Sequence, residues 1–135
     1  MAFDLIAGGH RFDPITLVCS RCGMSRRRYD DTGQQCTANE ERKALERAQA
    51  TLSTLTPAAP RDDAIVFDLL DASRLMTEAM AKGVAGEAAL NTLRADALNA
   101  LSAVTVSLDR RELTLHLIET ARQAVAPVLD QLPTP

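Results

Sequence analysis

The chain has 135 residues, the size of one compact domain or of a small module joined to one, and too short for a large multidomain enzyme. Aromatic residues make up only 3% against 46% apolar residues, and there is no Trp. A core must therefore be built from Leu, Val, Ile, Met and Ala, which favours closely packed helices over a β-sandwich. A net charge of −3 argues against a dedicated nucleic-acid binder, which would carry a strongly basic footprint.

The charge is unevenly divided: residues 1–36 carry a formal +1 and the remainder −4. No run approaches the roughly 18 consecutive apolar residues of a membrane span. Met1 to Gly9 lacks the basic start and apolar stretch of a secretory signal, so a soluble, cytoplasmic protein without membrane contact is expected. Cys19, Cys22 and Cys36 are odd in number and confined to the first 36 residues. A disulfide framework normally uses an even count spread along the chain, so metal binding in a reducing compartment fits better.

Residues 1–36 place the turn formers Gly8-Gly9, Asp13-Pro14 and Thr32-Gly33 around short apolar runs such as Ile15 to Val18, a pattern of short strands and tight turns. At Thr37 the pattern changes. Thr37-Ala38-Asn39-Glu40 matches a capping box, in which the Thr hydroxyl and the Glu carboxylate each satisfy a free amide at a helix start. The helix it opens, about Ala38 to Leu55, carries Ala44, Leu45, Ala48, Leu52 and Leu55 on one face. Thr56-Pro57-Ala58-Ala59-Pro60 stops it, because proline lacks the amide donor and restrains the residue before it. A boundary is expected there, between a module of residues 1–55 and a helical bundle of residues 61–132.

Beyond Pro60 the period is helical. Asp62 or Asp63 can cap a helix with Val66, Leu69, Leu70, Met76 and Met80 on one face, ending near Lys82-Gly83. Leu90, Leu93, Ala97, Leu101, Val104 and Leu108 continue the period after Gly86. A third helix is expected from Asp109, whose spacing to Glu112 suggests another capping box, through Leu113, Leu117, Ala121, Val125, Val128 and Leu132, with a kink at Pro127. Val104 to Leu117 also alternates as a β-hairpin would. Helix is preferred because the turn Asp109-Arg110-Arg111-Glu112 lacks Gly or Asn.

Cys19-Ser20-Arg21-Cys22-Gly23 has the form of a zinc knuckle: two thiolates two residues apart can face one ion across a tight turn, and Gly permits a positive φ there. Cys36 supplies a third thiolate. His10 is the natural fourth ligand, with Asp13 or Asp30 as substitutes, because structural zinc is four-coordinate with Cys and His donors. A redox Cys-x-x-Cys pair is the competing reading, but it belongs at a helix start after a strand in a thioredoxin-like unit. Three thiolates and an imidazole leave no open position for water and make a poor Lewis acid, so a stabilising metal is expected rather than a catalytic one.

The residues His10, Phe12-Asp13-Pro14, Cys19, Cys22-Gly23, Ser25 and Cys36 resemble a zinc-knuckle pattern that opens small bacterial and phage proteins, and more loosely the zinc-ribbon and treble-clef classes. The resemblance covers about a quarter of the chain and implies metal binding without implying an activity. A treble clef places two ligands in the first turn of its helix, whereas this sequence offers only Cys36 there.

Two other groups invite a chemical reading. Arg26-Arg27-Arg28 beside Tyr29 can form a phosphate-binding patch for nucleic acid, or can balance the thiolates and solvate a turn, with Asp30 and Asp31 opposing them. Arg111 and His116 have the Arg-x4-His spacing of a family of all-helical ribonucleases. Residues five apart on a helix lie about 140° apart, so they would meet only across a dimer or a bent helix, and an exposed His is preferred. Met76 and Met80 read as core fillers, and the Ala-rich segment from Ala88 to Ala103 either packs closely or offers a face for self-association. The expected protein is mainly α: a zinc-stapled β-turn module, a connecting helix and an antiparallel three-helix bundle. It is expected to be non-enzymatic and to act through a protein partner or as a homodimer, with nucleic-acid binding as the alternative and a ribonuclease-like enzyme third.

Overall fold

The computed structural model describes residues 5–57, 59–82 and 86–132. It is mainly α-helical. Strands β1 (Ile6–Ala7) and β2 (His10–Arg11) pair antiparallel, with Ala7 opposite His10. Gly8 and Gly9 join them with φ of 58° and 78°, as a tight hairpin turn requires. Gly8 has a second reason to lack a side chain: a Cβ there would lie 2.7 Å from Cε1 of Tyr29. Of the apolar run Ile15 to Val18, residues 15–17 form a turn, and Val18 makes a single antiparallel bridge to Ser25. The Asp13 carboxylate accepts the amides of Ile15 and Thr16, and Leu17 turns the chain at a positive φ of 54°, a conformation that costs a branched residue about 1 kcal/mol or more.

Helix α1 (Arg26–Thr32) was not foreseen. Ser25 accepts the Arg28 amide at its start, and Gly33 closes it in the left-handed conformation with its N–H on Tyr29 O. The Thr32-Gly33 breaker is thus a helix end. Four longer helices follow: α2 (Ala38–Thr54), α3 (Asp63–Ala81), α4 (Ala88–Arg110) and α5 (Leu115–Gln131). Each packs on two others, α2 and α4 both lying between α3 and α5. The helix expected as a connector is therefore the fourth member of the bundle: Ala44, Leu45, Ala48 and Leu52 share one core with Leu69, Met76, Leu101, Val104, Val125 and Val128.

Several helix ends differ from expectation. The Thr37 capping box does not form: Thr37 is itself near-helical with no side-chain cap bond, and its hydroxyl accepts Nζ of Lys82 at 2.8 Å instead. Asp62 caps α3 as expected, while Gly83 lies outside the described residues. From Val104 to Leu117 the chain is helix, turn, helix. The break falls later than Asp109, at Arg111, which adopts the left-handed C-cap, and Thr114 caps α5 through its hydroxyl. Asp109 stays in α4 and pairs with Arg61 at 2.5 Å. Helix α5 continues past Pro127 to Gln131.

Of the alanines in the Ala-rich segment only Ala97 is fully buried, while Ala95, Ala100 and Ala103 are half-buried. With Leu101, Val104 and Leu108, Ala97 forms the buried face of α4, whereas Ala88 and Ala89 are exposed. At its start α4 also buries a charge. Arg94 grips Glu41 of α2 with two bonds of 2.9 and 2.8 Å and adds Glu87 and Asn91, both members of the main pair being 4% exposed. Burial pushes the Glu41 carboxyl up, ahead of the opposing pull of Arg94. Removing one partner of such a pair strands the other in a poor solvent. Arg94→Met is accordingly expected to cost about 3–5 kcal/mol in urea unfolding, and Glu41→Leu added to it to restore most of that loss. Glu41→Gln, which is always neutral, should cost less than Glu41→Ala.

Candidate metal centre

The knuckle builds itself from local hydrogen bonds. Gly23, at φ 79°, donates its amide to Cys19 O at 2.9 Å, while the Cys19 amide donates to Met24 O at 2.8 Å. The Arg21 amide points at Cys19 Sγ at 3.4 Å, the stabilisation a thiolate needs from backbone donors. β2 brings His10 to this turn, and the Cys36 amide is fixed on Gly8 O at 2.9 Å. His10, Cys19, Cys22 and Cys36 thereby place one ligand atom each within 4.8 Å of one another. The first three are buried and Cys36 is half-buried. This cluster can hold a metal ion.

The ring of His10 is oriented for that task. Its Nε2 lies 2.8 Å from the Gln34 carbonyl, and a carbonyl only accepts, so Nε2 carries the proton. Nδ1 then presents its lone pair to the thiols, 3.3 Å from Cys22 Sγ. Fixing a ligand imidazole through its other nitrogen is the usual second contact at a metal site. Phe12 and Tyr29 close around the ring, with centroids 5.2 and 5.1 Å from it.

The sulfurs are crowded enough to share protons. A hydrogen bond from Cys22, followed by one from Cys36, holds the Cys19 thiol far below its ordinary value. Donating that hydrogen bond makes the Cys22 proton harder to remove, which pushes Cys22 up. One anion is thus readily formed among three thiols, and a divalent cation at their centre would replace the protons the others retain. Lys82 adds positive charge that favours the Cys22 thiolate. Arg21 ties the knuckle outward, donating to Gly9 O at 3.1 Å and to the Asn39 side chain at the start of α2.

The substitutes for His10 are engaged elsewhere. Asp13 holds its own loop, and the Thr16 and Ile15 amides keep its carboxyl below the usual range, while Asp30 pairs with Arg26 at 2.9 Å. Arg26 is also stacked over Phe12, with its guanidinium 5.2 Å from the ring centroid. Arg27 and Arg28 are exposed on α1, Arg111 is exposed at the α4 C-cap, and His116 is exposed in the first turn of α5. The Gln34 contact and the Glu41–Arg94 pair had no signal in the spacing of cysteines or the period of apolar residues. Among known proteins, no family model, curated protein or solved structure matches the chain. In long-range proton–nitrogen spectra His10 is expected as the neutral Nε2–H tautomer, and a doubly protonated ring would contradict the arrangement.

Proposed function

We propose that the cluster holds a zinc ion as a structural staple and that the protein works by interaction rather than by catalysis. The carrying observation is the donor set itself: three sulfurs and one imidazole nitrogen, from β2, the knuckle and the segment before α2, within 4.8 Å of one another. Zinc with Zn–S near 2.3 Å would set tetrahedral sulfurs about 3.8 Å apart, a spacing within the 4.8 Å spread of these donor atoms. Soft thiolates with imidazole suit zinc over magnesium or calcium. Four protein donors fill the shell, leaving no position for a reacting water.

The interaction surface is proposed on the bundle. Phe67 and Leu70, one turn apart on α3, are 65% and 52% exposed, and large apolar side chains left outside in pairs support a partner surface. A second copy in a two-fold arrangement is the reading favoured here. The nucleic-acid reading has less support, because Arg26 is committed to Phe12 and Asp30.

Metal analysis of protein purified without chelator is expected to give about one zinc per chain. Cys22→Ser should lose the metal and the order of residues 5–36 while the four long helices keep their helical circular dichroism, since metal binding is coupled to local folding. A chain free of zinc would remove the reading. For the partner surface, sedimentation is expected to show a concentration-dependent dimer that Phe67→Asp dissociates. Leu101, buried in the core, would simply unfold if charged. A monomer at all concentrations would refute self-association.

A further inference from the structure

The N-terminal module and the bundle leave a cleft between them. One part, a cavity of about 200 Å³, is lined by Gly23, Met24, Ser25, Arg28, Gln34 and Lys82. A larger part, about 450 Å³, shares Met24, Arg28, Gln34 and Lys82 and adds Glu40 and Glu78 among others. Arg28 comes from α1 and Lys82 from the end of α3, so two cations from separate elements line one concave space. Among the described residues neither forms an ion pair with a carboxylate. Their neighbours do: Arg26 is paired with Asp30, and Arg74 takes Glu78. The Thr37 hydroxyl holds the Lys82 ammonium at 2.8 Å, which uses one of its three protons and leaves two to donate.

We propose that this cleft binds the phosphate group of a small phosphate monoester, with Arg28 and Lys82 as its charge partners. A guanidinium offers paired donors that match two phosphate oxygens, and an ammonium adds a compact charge. Gln34, which also lines the cleft, has a neutral carboxamide able to donate. Ser25 accepts the Arg28 amide, so its hydroxyl proton remains to donate. Glu40 and Glu78, which line only the larger part, set the selectivity, because a second phosphate or a continuing polynucleotide reaching into it would meet like charge. The site favours one phosphate attached to an uncharged remainder.

The proposal rests on the metal reading, since the cluster builds two walls of the cleft. Gly23 to Ser25 directly follow Cys22, and the Gln34 carbonyl is the acceptor for His10 Nε2. Lys82 also stands near Cys22, so Arg28 is the cleaner probe. The test is calorimetric titration of the full-length, metal-loaded chain at low salt with inorganic phosphate, methyl phosphate and pyrophosphate. Saturable binding is expected for the first two and weaker binding for pyrophosphate. Arg28→Gln should weaken methyl phosphate about tenfold or more, with partial recovery in Arg28→Lys. Metal content is measured on the same samples. Full metal occupancy without phosphate binding, or equal binding by the wild type, Arg28→Gln and Lys82→Gln, overturns the cleft alone; a chain that takes up no metal overturns the reading beneath it as well.

Discussion

Cys36 to Glu41 is where two separately cored parts of the chain are tied together, and the rest of the architecture depends on that tie. Within this short stretch Cys36 joins the cluster of donor atoms, Thr37 holds Lys82 from the end of α3, Asn39 accepts from Arg21 of the knuckle, and Glu41 receives the fork of Arg94 from α4. Each contact alone is of ordinary strength. Together they fix the start of α2 against both the N-terminal module and two other helices, so the position of Cys36 is inherited from the bundle as much as from the cluster. The apolar residues alone would leave this junction loosely defined, because Phe12, Cys19, Cys22 and Met24 form one core and the bundle residues another.

The polar ties also account for how charge is used. Arg21, Arg26, Lys82 and Arg94 are each engaged by a named acceptor or ring. A cluster of three thiols benefits from nearby positive charge, and Lys82 supplies it across the junction. The buried Glu41–Arg94 pair is weak evidence for stability in itself, since desolvation offsets much of the attraction. Its value is in alignment: a forked contact between α2 and α4 is satisfied in only one register of the two helices.

What could be read from the sequence follows from which features are local. The donor set was legible because Cys19 and Cys22 sit at knuckle spacing and Gly23 marks the turn, and the structure brings His10 and Cys36 to them. The helical segments were legible because Leu45, Leu52, Leu69, Leu101 and Val125 recur with the helical period. The ends of those segments were less so. Thr37 matches a capping pattern, but Lys82 competes for its hydroxyl from a residue 45 positions away. Asp109 matches one too, but the left-handed turn at Arg111 lets α4 run on through it. Helix α1 carries no buried residue, so no apolar period announced it; Ser25 and Gly33 were the only signals. The Glu41–Arg94 pair is 53 residues apart, and nothing short-range encodes it.

The order of contacts in the bundle bears on how it assembles. Helices α3, α4 and α5 meet their neighbours along the chain, and α2 meets α3, so three of the four faces close over short loops. The fourth, α2 against α5, is sealed by Arg42 reaching the Leu129 and Leu132 carbonyls, 87 and 90 residues away. Short loops close at little entropic cost and long ones at more, and a topology dominated by sequential helix pairs belongs to the fast-folding class. Loop closure thus favours the consecutive hairpins forming ahead of the α2–α5 seam. Because Thr37, just before α2, holds Lys82 from the end of α3, and Glu41 holds Arg94 of α4, the surface that docks the N-terminal module is put together by the sequential packing of α2, α3 and α4 and does not wait for the α2–α5 seam.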